Sequence, residues 1–392
     1  MEFEYWWLLG FPLFFGLGWL AARIDVKQLV SESRALPRSY FKGLNFLLNE
    51  QPDKAIEAFI EVVRVDSETI ELHFALGSLF RRRGEYDRAI RMHQNLLERL
   101  DLGAEQKLNA LFELGQDYLK AGILDRAEEG FSRLAEGPHG VEARRYLLEI
   151  YEQEKDWTRA IDMARRLERE SSEPRGRQIA HYRCELAASA IMNGRNDAGR
   201  EQLEAALEAN RKSVRASLLL GDLERSLGNT AAAIERWKRI EAQDPAYLAL
   251  AARRLLDAYR DAGRIEDGLR LLGGYLERYP SIDLLDSVFQ EVLEIRGAEA
   301  AYRLVRDELR RNPTLLGLDR LLEAQIIGME SPEQRRDLEL VRNLVHAHTR
   351  RLARYRCENC GFKARQFYWH CPACGGWETY PPRRSEESDL AP

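Results

Sequence analysis

Four of the five cysteines fall in two pairs near the C-terminus, Cys357-Glu-Asn-Cys360 and Cys371-Pro-Ala-Cys374, with ten residues between the pairs. Two residues between thiols let a tight turn point both sulfurs at one ion. Two such turns complete a tetrahedral S₄ cage, suited to Zn²⁺ or to a single iron. Gly361 and Gly375 directly follow the pairs, where a turn can demand positive φ and backbone N–H groups can bond the sulfurs. A thioredoxin-like redox motif fits worse, because two CxxC pairs occur and no βαβ pattern surrounds them. A pair of disulfides also fits worse in the reducing compartment expected below. The fifth cysteine, Cys184, lies in a helical segment and is expected to pack in a core.

No other residues form a catalytic constellation. The chain has no Walker loop, no GxSxG elbow and no HExxH. Gly16-Leu17-Gly18 sits inside an apolar run and is no nucleotide fingerprint, and His346 and His348, two apart on an expected helix, face different ways. The chain therefore reads as non-enzymatic. Lys plus Arg is 59 and Asp plus Glu is 64, a net charge of −5, so no global positive field exists to hold a nucleic-acid backbone.

The elements that must carry the cage are helical and repeated. Gly43 and Gly77 are thirty-four residues apart, and similar surroundings recur: Gly43, Phe46, Ala55, Phe59; Gly77, Phe80, Gly84, Ala89; Gly115, Tyr118, Gly122, Ala127, Phe131. Looser units follow around Tyr151 and Ala160, Gly194 and Leu203, Gly221 and Trp237, Tyr259 and Gly263, and Ala301 and Val305. Small residues are needed where one helix crosses another closely, and large ones fill the groove between. This is the period of the tetratricopeptide repeat, a helical hairpin. About eight units fit between residues 36 and 313, and they predict an all-α superhelical solenoid. Terminal helices follow over 314–355, where Ser331-Pro332-Glu333 starts a helix carrying Leu338, Val341, Leu344, Val345 and Leu352. Without a flexible linker before Cys357, the metal domain, 356–382, is expected to dock rigidly on those last helices. An acidic tail, 383–392, is expected to be disordered.

A solenoid acts through the surface lined by the first helix of each hairpin. Near the ends of those helices lie Arg81, Arg82, Arg83, Lys120, Arg225 and Arg260, candidates to bind acidic or phosphorylated segments of a partner. The alternative is a set of solvated helix faces with local ion pairs.

At the other end, Tyr5 to Ala22 contains no charge and reads as one transmembrane helix, giving an anchor over 1–22. A cleavable signal peptide would open with basic residues, whereas Glu2 and Glu4 precede this run. Arg23, Lys27 and Arg34 in a basic linker over 23–35, followed by Arg38 and Lys42, place the bulk of the chain in the cytoplasm with the N-terminus periplasmic.

The anchored start, the segments Gly43 to Ala55 (GLNFLLNEQPDKA) and Leu79 to Glu85 (LFRRRGE), His93 to Arg99 (HQNLLER) and the paired CxxC together resemble the lipopolysaccharide assembly protein B family of Gram-negative bacteria. The resemblance implies an inner-membrane protein whose cytoplasmic repeats and rubredoxin-type metal domain control lipopolysaccharide synthesis. It implies an adaptor that lets the membrane-bound AAA+ protease FtsH degrade the deacetylase committing precursors to lipid A. Other inner-membrane envelope proteins, and lipopolysaccharide itself, are further partners in this reading. The four positions matching the family's metal ligands are Cys357, Cys360, Cys371 and Cys374. Ten residues between the pairs is shorter than in an electron-transfer rubredoxin, which favours zinc over iron in the cage. An assembly scaffold without proteolysis and an iron-dependent electron-transfer module are the alternatives.

Overall fold

A computed structural model describes residues 42, 43, 45, 46, 49, 51–65, 70–349 and 354–384. The expected transmembrane helix, most of its basic flank and residues 385–392 lie outside these. No described helix is long and apolar enough to cross a membrane. The chain forms two compact units, one up to Ile150 and one from Tyr151.

In the first unit, α1 (Pro52–Val65), α2 (Ile70–Arg82), α3 (Tyr86–Glu98), α4 (Ala104–Lys120) and α5 (Leu124–Leu134) form successive antiparallel neighbours. Helix α6 (Gly140–Glu154) contains the boundary. The second unit continues with α7 (Trp157–Ser171), α8 (Gly176–Met192), α9 (Asn196–Ala209), α10 (Val214–Ser226), α11 (Thr230–Lys238) and α12 (Ile240–Gln243). A 3₁₀ turn (Pro245–Tyr247) leads to α13 (Leu248–Asp261), α14 (Ile265–Arg278), α15 (Ile282–Arg296) and α16 (Ala298–Arg311). Then come α17 (Leu315–Ile327), α18 (Pro332–Thr349) and a two-stranded hairpin, β1 (Tyr355–Arg356) and β2 (Lys363–Ala364). The fold is an all-α stack of helical hairpins ending in a small metal-binding ribbon.

One packing rule recurs through the stack. A glycine on the first helix of a hairpin faces a large ring sixteen residues later on the second: Gly43 with Phe59, Gly77 with His93, Gly115 with Phe131, and Gly221 with Trp237. A Cβ on Gly115 would stand 2.9 Å from the Phe131 ring, and at the other three positions the clash would be worse. The missing side chain is what admits the ring, and Phe59, Phe131 and Trp237 are all buried. Gly221→Ala is expected to destabilise the second unit by about 1–3 kcal/mol, because Trp237 is enclosed and donates its Nε1–H to Leu218 O at 3.2 Å. Thermal denaturation checks this, and an unchanged midpoint would show that the indole can move aside.

His93 occupies the ring position with a polar group. It is fully buried, and its Nδ1 meets Asp117 Oδ2 from the next hairpin. Arg81 donates to the other oxygen of Asp117 at 2.7 Å and to Glu113 at 2.6 Å. A buried imidazole and carboxylate are tolerable because each has a partner.

The turns inside the hairpins repeat as well. Glu85 N–H reaches back to Phe80 O at 2.9 Å, and the equivalent five-residue bond recurs from Ile123 to Tyr118, Asp156 to Tyr151, Arg195 to Ala190, Asn229 to Glu224 and Arg264 to Tyr259. This closure needs a left-handed residue just before the donor. Gly84 supplies it at φ 78°, while Lys155 takes the place at φ 58° where the sequence has no glycine.

Helix α18 forms at the expected start, but Leu340, Val341 and Leu344 on it are exposed. The ribbon takes its main seat elsewhere.

Candidate metal centre

The cage is built from two knuckles of the same design. In the first, Cys357 N–H donates to Phe362 O and Gly361 N–H donates to Cys357 O, both at 2.9 Å. In the second, fourteen residues on, Cys371 N–H donates to Gly376 O and Gly375 N–H to Cys371 O, again at 2.9 Å. Gly361 and Gly375 take φ of 74° and 68°, the left-handed turn expected behind each pair. All four sulfurs lie within 4.8 Å of one another, with Cys357 to Cys374 at 3.8 Å and Cys360 to Cys371 at 3.7 Å. A tetrahedron with metal–sulfur bonds of about 2.3 Å has edges of about 3.8 Å, so the donor set has the size as well as the chemistry of a four-thiolate metal site. Cys184, by contrast, is buried among Ala180, Ala187 and Leu203, and burial pushes its thiol up to about 12.

The electrostatics also call for a cation. Burial works against ionisation of Cys357, but the Thr379 hydroxyl and the amides of Cys360 and Asn359 outweigh it and bring the thiol down to about 6. The Asn359 side-chain amide, 3.3 Å from the Cys374 sulfur, lowers that thiol too. Cys371 is pushed upward by burial, against the pull of the Cys374 and Ala373 amides. Cys360 also ends up raised: the Phe362 backbone amide favours its thiolate, but desolvation and the neighbouring sulfurs prevail. Four thiolates cannot share so small a volume without a positive ion.

The ribbon is fastened to the second unit by aromatic rings. Trp377 stacks on His181 of α8 with centroids 4.8 Å apart and meets Trp157 and Tyr182 edge-on at 6.1 and 6.0 Å. Its Nε1–H donates to Glu152 Oε1 at 3.1 Å, and the Tyr182 hydroxyl donates to the same oxygen at 2.5 Å. Trp369 stacks on Tyr247 at 5.3 Å with the rings 2° from parallel. Glu378 Oε1 lies 2.9 Å from His181 Nε2, and its other oxygen lies 3.3 Å from Arg177. Burial holds the His181 imidazole below its usual range in spite of that carboxylate. On α15, Asp283 accepts from the Tyr355 hydroxyl at 2.6 Å and from Arg384 at 2.7 Å. Arg384 also covers the Tyr355 ring, so this first part of the expected tail, 383–392, is ribbon structure.

The ribbon's main contacts are thus with α8, the turn before α13 and α15, not with α17 and α18 alone as expected from the short linker. Continuity of chain does not fix where a module packs, and α18 offers no aromatic partner. Trp369, Trp377, Glu378, His181 and Tyr247 escaped the sequence reading. The available signal was the aromatic density of the ribbon, with Phe362, Phe367, Tyr368, Trp369, Trp377 and Tyr380 inside some twenty residues.

The cations expected to face partners are placed differently from one another. Arg81 is a strut between α2 and α4, mostly covered. Arg83 pairs with Asp53 and Glu85, and Lys120 lies 3.8 Å from Glu149. Arg225 pairs with Asp261 at 2.6 Å, and Arg260 with the fully buried Glu291 at 2.5 Å. Each of these except Arg83 links neighbouring first helices, and Arg215 to Glu185, Arg254 to Asp222 and Arg320 to Asp286 do the same. The residues form an ion-pair ladder along the stack. Arg82 is exposed and has no ion pair among the described residues.

With this geometry in place, likeness to known proteins becomes informative. A family described as "Rubredoxin metal binding domain" matches residues 355–382, and tetratricopeptide repeat families match 72–108, 112–173 and 184–247. The lipopolysaccharide assembly protein B of Escherichia coli strain K12 is 35% identical over 376 residues, covering 95% of this chain and 96% of that protein. The chain belongs to the lipopolysaccharide assembly protein B family. The Haemophilus influenzae member is 30% identical over 388 residues, covering 96% of this chain and 97% of that one. A tetratricopeptide repeat protein from Parabacteroides merdae superposes loosely, with a TM-score of 0.34 and 15% identity over 78% of this chain and 100% of that one. For the lipopolysaccharide assembly protein B family, then, the structure adds how this chain seats a four-cysteine ribbon on its repeats.

Proposed function

We propose that this chain is a non-enzymatic, inner-membrane adaptor that regulates lipopolysaccharide synthesis. In this reading the repeats hold a client protein, the segment 1–22 anchors the chain with its N-terminus in the periplasm, and zinc in the cage locks the ribbon. The client is the deacetylase that commits precursors to lipid A, delivered to the membrane protease FtsH. The observation that carries the reading is the near full-length match to relatives named for lipopolysaccharide assembly, joined to a repeat stack whose use is to present an extended surface to proteins. The apolar, uncharged run from Tyr5 to Ala22 supports the anchor.

Client binding through acidic segments would fall first to Arg82, then to the exposed portions of Arg83, Lys120, Arg225 and Arg260. Arg81 is committed to Glu113 and Asp117 and would act only by holding α2 against α4.

Depleting the protein is expected to lengthen the deacetylase half-life several-fold, measured after arrest of protein synthesis. An unchanged half-life removes the proteolytic arm and leaves an assembly scaffold. Metal analysis of the purified chain separates zinc, colourless and redox-silent, from iron, which gives a red, reducible protein.

A further inference from the structure

The five cysteines differ in their access to solvent. Cys184, Cys357 and Cys371 are buried, whereas Cys360 and Cys374, one from each knuckle, are exposed. The residues between the thiols, Glu358, Asn359, Pro372 and Ala373, are exposed as well, so neither the repeats nor the rest of the ribbon covers the knuckle tips. Each exposed sulfur has a buried one of the opposite knuckle beside it: Cys374 lies 3.8 Å from Cys357, and Cys360 lies 3.7 Å from Cys371. A metal-bound cysteine is a thiolate, the form of sulfur that attacks peroxides. An accessible thiolate with a second thiol next to it is the arrangement of a redox-sensing cysteine. A disulfide is about 2.05 Å long, so the second sulfur has to travel only about 2 Å.

The ribbon depends on its cage, since its strands are two residues each. Trp369, Trp377 and Glu378, which seat it on Tyr247 and His181, all lie within four residues of Cys371 or Cys374. The helices beneath have cores of their own: α8 packs on its neighbours through Ala180, Cys184, Ala187 and Leu203, apart from the ribbon. A change at the exposed sulfurs is therefore passed to the seat before it reaches the repeats.

We propose that Cys360 and Cys374 form a peroxide-reactive site whose oxidation opens the cage and frees the ribbon from its seat on the repeats. One exposed thiolate attacks hydrogen peroxide, the O–O bond breaks, the sulfur becomes a sulfenic acid and hydroxide leaves. A neighbouring cage thiolate attacks that sulfur, a disulfide forms and a second hydroxide leaves. The sulfurs give up two electrons in all, and the peroxide accepts them. The cage, left with two thiolates, releases zinc, and the segment carrying Trp369 and Trp377 loses its fold. In a reducing compartment other thiols reverse such a bond, so the seat follows the momentary peroxide level. The site rests on the zinc cage of the proposed function, and the two fail differently.

The full chain, purified in detergent with its metal, is treated with a slight excess of hydrogen peroxide. Zinc release is read with a colorimetric chelator, sulfenic acid is trapped with dimedone and mapped by mass spectrometry, and backbone hydrogen exchange is followed over α8 and around Tyr247. The first adducts are expected on Cys360 or Cys374, with two thiols lost for each zinc released. Exchange along α8 is expected to rise roughly tenfold as zinc leaves. Zinc binding and slow exchange are expected to return with dithiothreitol and added zinc, and Cys184→Ser is expected to respond as the parent does. A chain purified without zinc would remove both the zinc cage and this proposal. A zinc-loaded chain that keeps its metal under peroxide, or whose first adduct lies on Cys357, Cys371 or Cys184, would overturn the proposal and leave the zinc cage standing. So would zinc loss with unchanged exchange along α8.

Discussion

Cys357→Ser and Cys371→Ser are each expected to abolish metal binding and unfold the ribbon. Serine offers a hard, protonated oxygen where the site needs a soft thiolate, and the cage loses a vertex of its tetrahedron. The ribbon has little else to fold around. Its strands are two residues long and its buried cluster is Tyr355, Cys357, Cys371 and Tyr380. Structural zinc sites contribute about 10–16 kcal/mol, far more than so small a core can supply. Elemental analysis should fall from one metal per chain to none, and limited proteolysis should open the chain between residues 355 and 384. Cys184→Ser provides the contrast, since that thiol packs between helices far from the cage in sequence and its loss should leave metal content unchanged. Full metal occupancy in Cys357→Ser would mean that the ligands have been misassigned.

The second large effect concerns the seat. Trp377→Ala is expected to leave the cage loaded while loosening the ribbon from the repeats, at a cost of about 3–5 kcal/mol. Trp377 touches His181, Trp157 and Tyr182, and supplies one of two hydrogen bonds to Glu152. Removing it opens a cavity and exposes the His181 ring, whose charged form is disfavoured only while buried. Hydrogen exchange should rise along α8 and around Tyr247 with metal stoichiometry intact. If exchange there stays at the parent level, Trp369 and Asp283 hold the ribbon without help from Trp377.

The cage could be read from sequence because its chemistry is local: two residues between thiols, then a glycine, twice. The repeats could be read because Gly43, Gly115 and Gly221 each require a large ring sixteen positions on, and a recurring offset shows even when other residues vary. His93 broke that pattern, since nothing local to Gly77 indicates that Asp117 and Arg81 will make a buried imidazole acceptable. The role of the arginines was obscured in the same way. Arg81 and Asp117 are thirty-six residues apart, as are Arg225 and Asp261, so the ladder was written at the repeat period but only in pairs that a helix-face reading treats singly. The seat of the ribbon lay furthest from view. Trp377 meets Glu152 across 225 positions, and no short-range rule selects that partner.

The ribbon's position has a mechanical consequence. In a plain array of hairpins each member is coupled only to the next, so the array can fray from an end or melt in pieces. Here one module is fastened to His181, Tyr247 and Asp283, on three different hairpins of the second unit. It acts as a cross-tie between members that are not consecutive. Fraying that starts at α16 must release Asp283 and Tyr247 in turn before it reaches α8, and the intervening hairpins are drawn into a single cooperative block. Loss of the ion would then cut the tie, and a segment of over one hundred residues would revert from melting as one to melting link by link.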